Sequence, residues 1–321
     1  MSWQEKIKTQ LKTVRENVPL DQYTTLGVGG CADFLVEVKT IDELVEAVVA
    51  ARKIGAPYRV IGLGSNIIPS NAGFPGLIIV NRASSLNIDT TSGRVIADSG
   101  VPLSRMILEA AGQGLGGLEA LYGIPGTVGG AVVANAGAHG VSISQYLKSS
   151  SVLISSEKIK ACKADWFEFG YRSSRLKYKK SDSLPVVLNV IFQFQRRKKD
   201  SILDDIAKAK KWREQNQPIG KKTCGSIFKN PVGSDDAKAK SEKEKTAGFL
   251  LDQANAKKMA VGGANVSRMH ANWIENTNHA DALDVRTLIE KMRLAVSEKY
   301  SVDLEEEIEY IGVWDEVMAK D

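Results

Sequence analysis

The chain has 321 residues, 43% of them hydrophobic and 25% charged, the composition of a soluble globular protein with room for about two domains. Its net charge of +5 suits an anionic small ligand at least as well as nucleic acid, and the short basic runs at 179–182 and 196–200 read as solvated surface. Three cysteines (Cys31, Cys162, Cys224) without C-x-x-C spacing argue against a disulfide framework or a structural zinc, and no apolar run reaches the ~18–20 residues of a membrane span. No secretory leader is visible, so the expectation is a cytoplasmic protein without metal, nucleic-acid or membrane partners.

In chain order, MSWQEKIKTQLKTVRENV predicts an amphipathic helix and FLVEV (34–38) a short strand. Thr40, with Glu43 three residues on, caps a helix whose stripe is Leu44, Ala47, Val48 and Ala51 and whose end is Gly55. Strands follow at YRVI (58–61), leading into the turn GLGSN, at GLIIVN (76–81) and at RVIADSGV (94–101), then a helix at LSRMILEAAGQG. Residues 149–195 read as strand-rich, with KADWFEFGYRSS among the strands. DSILDDIAKAKKWREQNQP is a helix ended by Pro218, and with the charge run before it marks a domain boundary near residue 200. A polar Lys-rich loop (233–248), a helix at AGFLLDQAN, a strand around VGGANVS and a long amphipathic helix at ADALDVRTLIEKMRLAVSEKY complete the reading, with a strand expected over 302–312. Strand–helix alternation with irregular glycine loops means α/β or α+β.

Between Gly112 and Gly140 lie ten of the 28 glycines, embedded in apolar residues. Such a run serves either backbone amides packed round a phosphate or cofactor, or tight turns in a close-packed sheet. The G-x-G-x-x-G at Gly112, Gly114 and Gly117 follows a helix instead of a strand and has Asn135 where an acidic residue is needed, so helix-ending glycines explain it better than a dinucleotide fingerprint. Gly62-Leu-Gly64-Ser65-Asn66 does follow a strand and is either an anion-binding nest or a structural turn; paired with GIPGTVGGA (123–131) it makes two loops able to hold a pyrophosphate.

His139, His270 and His279 have no ligand partners at metal spacing, and Cys224 reads as a buried filler. CGSIFKNP (224–231) and FGYRSSR (169–175) gather a hydroxyl, an ammonium, an amide and two guanidiniums near turns, either a site or capped surface turns. In LEEEI (304–308) alternation puts Glu305, Glu307 and Glu309 on one face and Leu304, Glu306, Ile308 and Tyr310 on the other. That is a solvated edge strand, or a place where burial raises the pKa of one glutamate.

Together and in order, YTTLGVGG (23–30), GLGSN, LEALYGIPGTVGGAVVANAGAHG (118–140), FGYRSSRLK, QP…CGSIFKNP, AGFLLDQA, VGGANVSRMHANWIEN (261–276) and LEEEIEYIG (304–312) resemble the MurB family, the UDP-N-acetylenolpyruvoylglucosamine reductases of peptidoglycan precursor synthesis. The resemblance covers about residues 17–312 and points to the branch lacking an extra tyrosine-bearing loop. It implies an α+β protein with a two-subdomain FAD-binding fold of the PCMH/vanillyl-alcohol-oxidase type over 1–198, split near residue 75, and a smaller α+β substrate-binding domain over 199–321 whose last strand packs back on the N-terminal part. FAD would be non-covalent, its pyrophosphate near Gly62, Gly64, Ser65 and Asn66 and near Gly123, Ile124, Pro125, Gly126, Thr127, Gly129, Gly130 and Ala131. NADPH and the UDP-sugar nucleotide would be the partners of a monomer.

By the same resemblance Arg172 and Glu307 match the residues that stabilise and position the enol(ate), and Ser226 matches the serine that protonates C2. Lys229 is a candidate helper of Ser226, and Tyr171, Lys229, Asn230 and His270 are candidate substrate contacts. The chain departs from the family at Gly27, where a basic residue is usual, at His139, where tyrosine is common, and at Pro69, which interrupts an apolar run. The rival readings are an FAD oxidase of the same superfamily and a non-catalytic nucleotide-binding protein. Anaerobic bleaching of the flavin by NADPH separates the first of these from the reductase.

Overall fold

The computed structural model describes residues 2–156, 158–177, 185–231 and 246–314. Two compact units form: Met1–Asn17, Asp33–Leu63 and Gly76–Arg213 make the first, Val18–Ala32, Gly64–Pro75 and Glu214–Asp321 the second.

The first unit begins with helix α1 (Trp3–Gln10), opened by a capping box between Ser2 and Glu5. It is shorter than the sequence suggests, because Arg15–Pro19 is strand β1. The helical period there is weak, and a ladder with β2 (Cys31–Val38) satisfies the backbone of a segment flanked by Val14 and Val18. Helix α2 (Ile41–Ile54) starts where the Thr40 hydroxyl accepts the Glu43 N–H at 3.1 Å and stops at Gly55, φ 69°. Its Leu44, Ala47, Val48 and Ala51 share a core with Phe34, Val36, Leu77 and Ile79.

Strands β3 (Tyr58–Ile61) and β4 (Phe74–Asn81) run parallel, Tyr58 opposite Leu77, and complete a four-stranded sheet in the order β1–β2–β4–β3. The change of subdomain expected near residue 75 therefore falls after residue 81, since β4 belongs to this sheet. Next come β5 (Leu86–Asp89), unseen in the sequence, and β6 (Arg94–Asp98), then helices α3 (Leu103–Gly112) and α4 (Val128–Val133). With β7 (Leu147–Leu153), β8 (Ile159–Lys163) and β9 (Val186–Gln193) they build an antiparallel sheet ordered β8–β7–β9–β6–β5. The stretch expected as strand over KADWFEFGYRSS contributes only its beginning to β8. A single turn at Ala164–Phe167 follows, and then a tight turn between Gly170 and Ser173.

Helix α5 (Lys199–Asn216) buries Ile202 and Ile206 in the core of this unit and buries Arg213 as well. The unit thus extends to Arg213 instead of ending near 200, and 18–32 and 64–75 belong to the second unit. The charge run marked a solvated helix start, while the buried face of the helix decided where it packs.

In the second unit, helix α6 (Ala247–Gln253) precedes a three-stranded meander, β10 (Ala260–Val261), β11 (Ala264–Val266) and β12 (Ile274–Asn276). Helix α7 (Ala282–Tyr300), capped by Asp281, buries Leu288, Ile289, Met292 and Val296 against Ile227, Phe228, Ile274, Leu304 and Ile308. Strand β13 (Glu309–Ile311) pairs parallel with the short strand Ile67–Pro69. The strand expected over 302–312 is therefore regular only at 309–311, preceded by a lone bridge between Phe228 and Glu306. The Lys-rich stretch lies outside the described residues up to 245. Among the described residues no helix is long and apolar enough to cross a membrane, no group of three metal-binding side chains exists, and the three cysteines are free.

Candidate functional site

Two glycine loops of the first unit meet. A Cβ on Gly62 would lie 2.6 Å from the Thr127 hydroxyl oxygen, so the turn after β3 packs directly on the residue that opens α4. Thr127 caps that helix, its hydroxyl accepting the Gly130 N–H at 3.3 Å. Gly129 presses on Ser99 and gives its N–H to the Ser99 carbonyl at 2.8 Å, and Gly123 (φ 87°) faces the Arg213 side chain. In the second unit Gly64 (φ 64°) lies against the Tyr23 carbonyl.

These glycines are therefore explained by the approach of other chain segments. Gly130 is different. It is exposed, its φ is not positive, and an added Cβ would meet nothing nearer than Thr127 at 3.7 Å. Glycine inside a helix costs about 0.5–1 kcal/mol against alanine. A glycine that neither strain nor internal packing requires leaves room for a phosphate close to backbone at the start of α4, and it is this room that fits a dinucleotide, since the Gly129 and Gly130 N–H groups are given to Ser99 and Thr127. Ala131 does not share that face: it is 6% exposed and packs in the core with Val128 and Val132.

Arg172 sits at the tip of the Gly170–Ser173 turn with φ 52°, a left-handed conformation uncommon outside glycine. Asn135 (φ 43°) donates to the Gly170 carbonyl at 2.8 Å and Ser174 to the Val133 carbonyl at 2.6 Å, which pins the turn to the end of α4. Gly137 leaves room for the guanidinium, whose Nη1 is 3.1 Å from where a Cβ would stand. The half-exposed Tyr171 ring lies 5.5 Å from it.

The sequence reading missed Arg213. Its buried guanidinium donates to the Tyr122 carbonyl at 2.8 Å and the Ala120 carbonyl at 3.1 Å, holding the loop that leads to Gly123. Burial, and then the nearby Arg172, lower its pKa. The signal that could have found it is its spacing, seven residues after Ile206 on the face that α5 buries.

In the second unit three segments run side by side. Glu307 gives its N–H to the Ile227 carbonyl at 2.7 Å and Lys229 gives its N–H to the Glu305 carbonyl at 2.8 Å. On the other side Ser226 bridges Trp273, and Asn272 clasps Phe228 with both ends of its amide, at 2.8 and 2.9 Å. Ser226 and Glu307 are thus brought together as neighbours on paired backbone. Asn66, expected as a cofactor donor, gives its side-chain N–H to the Glu307 carbonyl at 3.1 Å and accepts the Glu309 N–H, while Ser65 lies beside Gly225.

Lys229 is 7% exposed and its ammonium pairs with Glu305, so its charge is shared with a carboxylate instead of being offered to Ser226 alone. Burial pushes the Cys224 thiol up to about 12, which fits a filler. The Asn230 side-chain oxygen accepts the first N–H of α6. His270 is largely buried against Gly248 and accepts the Asn272 N–H on Nδ1, and burial, with Lys257 nearby, lowers its pKa. Of the glutamates it is Glu306, on the buried face, whose carboxyl is raised.

The three departures also have partners. The Lys222 side chain covers Gly27, its Nζ 3.6 Å from the missing Cβ, so a basic group stands there after all. His139 meets Trp212 edge-on at 4.6 Å. Pro69 in its short parallel strand leaves no room for a side chain at Gly29.

Paired glycine loops on one α+β unit, with a second unit that has its own core, frame a cofactor-binding protein, and the match of the first unit's residues to an FAD binding domain makes the cofactor FAD. Residues 32–163 match the model of an FAD binding domain, and 217–311 that of the UDP-N-acetylenolpyruvoylglucosamine reductase C-terminal domain. The chain is 34% identical to UDP-N-acetylenolpyruvoylglucosamine reductase 1 of Bacillus cereus over 96% of its length and 98% of that protein. It is 38% identical to the reductase of Carboxydothermus hydrogenoformans over 96% and 97%. The crystal structure of the Thermus caldophilus reductase superposes with a TM-score of 0.75 at 35% identity, over 93% of this chain and 99% of that one. The chain belongs to the UDP-N-acetylenolpyruvoylglucosamine reductase family.

Proposed function

We propose that the protein reduces the enolpyruvyl ether of UDP-N-acetylglucosamine to UDP-N-acetylmuramate at the expense of NADPH, supplying peptidoglycan synthesis. Bound FAD supplies the hydride relay, from NADPH to C3 of the enolpyruvyl group. The reading is carried by the register that sets Ser226 beside the backbone of Glu307 in a chain of this family.

Hydride arrival at C3 leaves negative charge on C2 and its carboxylate. Arg172 supplies the positive charge that stabilises it, in a guanidinium held by a pinned turn and therefore already oriented. Glu307 positions the enol(ate). The Ser226 hydroxyl gives its proton to C2, which balances the hydride and yields the saturated lactyl ether. Gly62, Thr127 and Gly130 are the proposed pyrophosphate seat, with Gly123, Ile124, Pro125 and Gly126 shaping its loop. Tyr171, Lys229, Asn230 and His270 are proposed to contact the sugar nucleotide, and Lys222 to offer its ammonium where relatives carry a basic residue. The same reading places a monomer in the cytoplasm, consistent with three free thiols.

The test is NADPH oxidation by the purified yellow protein with and without the enolpyruvyl sugar nucleotide. Consumption that tracks the sugar nucleotide one for one is the expected result. Consumption indifferent to it, or dependent only on oxygen, would refute the reading.

A further inference from the structure

The turn GLGSN was expected to serve the cofactor, yet its last residue, Asn66, is committed elsewhere in the second unit. Gly64 (φ 64°) packs against the Tyr23 carbonyl, and its own carbonyl accepts the Thr25 N–H at 3.1 Å. Thr25 is tied in turn to Thr223: its carbonyl accepts the Thr223 N–H at 3.2 Å, and its hydroxyl donates to the Thr223 carbonyl at 2.6 Å. Thr223 leads directly into Gly225 and Ser226, and a Cβ on Gly225 would stand 3.9 Å from the Ser65 carbonyl oxygen. The turn that carries Asn66 and the segment that carries Ser226 therefore share one frame. Beyond Asn66 the short strand Ile67–Pro69 anchors that frame, with Ile68 buried in the core of the unit.

From this frame Asn66 reaches Glu307. The direction in which a side chain leaves the backbone is set by the two rigid peptide planes on either side of its Cα. For Glu307 the plane before it is held by its N–H, bonded at 2.7 Å to the carbonyl of Ile227, the residue after Ser226. The plane after it is held through its carbonyl, which accepts the Asn66 side-chain N–H at 3.1 Å. The Asn66 main chain adds a second hold one residue on, its carbonyl accepting the Glu309 N–H at 3.0 Å. An asparagine suits the place because its short amide can donate sideways while its backbone continues into the strand. Alanine at 66 would lose the side-chain bond and keep the main-chain one. Aspartate, of the same shape, would set an acceptor against an acceptor.

We propose that Asn66 is a positioning residue: its amide fixes the 307–308 peptide, and with it the direction of the Glu307 side chain relative to Ser226. The proposal rests on the reductase reading above. It differs from a cofactor role in that FAD affinity is untouched, and from a general packing role in that the effect passes through the Glu307 carboxylate.

The experiment compares wild type, Asn66→Ala, Asn66→Asp, Glu307→Gln and the double variant Asn66→Ala with Glu307→Gln as FAD-loaded enzymes in stopped flow, together with FAD titration of the apoproteins and amide exchange. Both Asn66 variants should slow reduction of the enolpyruvyl sugar nucleotide by ~10-fold or more, as small misplacements of reacting groups do, and leave flavin reduction by NADPH and the FAD dissociation constant within about twofold. With Glu307→Gln already present, Asn66→Ala should cost less than about twofold more, since no carboxylate is left to misplace. Exchange protection of the Glu307 amide should fall roughly 3- to 10-fold in Asn66→Ala, the loss of one hydrogen bond beside it. The Ser70 amide, bonded to the Ile311 carbonyl at 2.9 Å, should keep its protection. FAD binding that weakens while substrate reduction stays normal would return Asn66 to the cofactor and overturn the proposal. So would a wild-type second half, equal slowing of both halves, fully additive losses in the double variant, or an unchanged Glu307 amide. Should Asn66→Ala not fold, Asn66→Asp decides by the same measurements. A wild type that accepts hydride from NADPH but never reduces the sugar nucleotide would sink the reductase reading instead, and the Glu307 amide then decides the positioning alone.

Discussion

Replacing Gly62 by alanine puts a Cβ 2.6 Å from the Thr127 hydroxyl oxygen and 2.8 Å from its Cγ2, where ordinary contact begins at 3.4 Å. Gly62 has no positive φ, so alanine brings no backbone strain of its own and the whole effect is overlap. Overpacking of this kind costs about 1–3 kcal/mol, and the stiffer unfolded chain returns roughly 0.4–1, for a net loss of about 1–2 kcal/mol. If that strain falls on the loop pair that seats the pyrophosphate, the same energy weakens FAD by about 5- to 30-fold. Quenching of flavin fluorescence on adding FAD to apoprotein measures the second quantity and urea unfolding the first. Thr127→Ser keeps the helix cap but removes Cγ2, so combined with Gly62→Ala it should recover part of both losses, with the single changes failing to add. A Gly62→Ala protein that unfolds at the wild-type midpoint and binds FAD as tightly would show that the two loops do not meet, and the seat argued from them would fall.

Ser226→Ala should leave flavin reduction by NADPH near normal and slow reduction of the sugar nucleotide by at least ~10²-fold; equal slowing of both halves would remove Ser226 as proton donor. Arg172→Met should lose ~2–4 kcal/mol of transition-state stabilisation, read as kcat/KM, and unchanged turnover would take Arg172 out of the reaction. His270 gives a pH test. Its folded pKa lies below the unfolded 6.5, so its contribution to stability is present above pH 6.5 and is lost as pH falls through 6.5 toward the lowered value. Wild type should therefore lose up to about 1.4 kcal/mol per pH unit more than His270→Gln over that window in urea unfolding. Parallel curves for the two proteins would contradict the burial of the ring.

How much was legible in the sequence can be seen residue by residue. Helix α2 was readable at both ends because Thr40 and Gly55 act through local hydrogen bonds and φ alone. The face split of 304–310 was readable only at Leu304, Glu305 and Ile308, which are buried, exposed and buried; Glu306, Glu307, Glu309 and Tyr310 are all half-buried, because the chain is regular strand only from Glu309. The end of α1 was not, since β1 forms only through a ladder with β2, a partner distant in sequence. The glycine loops were visible as loops, yet the sequence could not say that Gly62 and Gly129 are crowded by Thr127 and Ser99 while Gly130, whose N–H caps onto Thr127, is crowded by neither.

The sequence by itself determined the family and the flavin, because motif order along a chain survives without any contact being known. Tertiary structure decided what each group is free to do. Asn66 is spent on the Glu307 carbonyl, Lys229 on Glu305, and Ala131 on the core, while Arg213 acquires a task that no motif announced. The reason is physical: hydrogen bonds, ion pairs and burial are settled by neighbours tens to hundreds of residues away, and only folding brings those neighbours within reach.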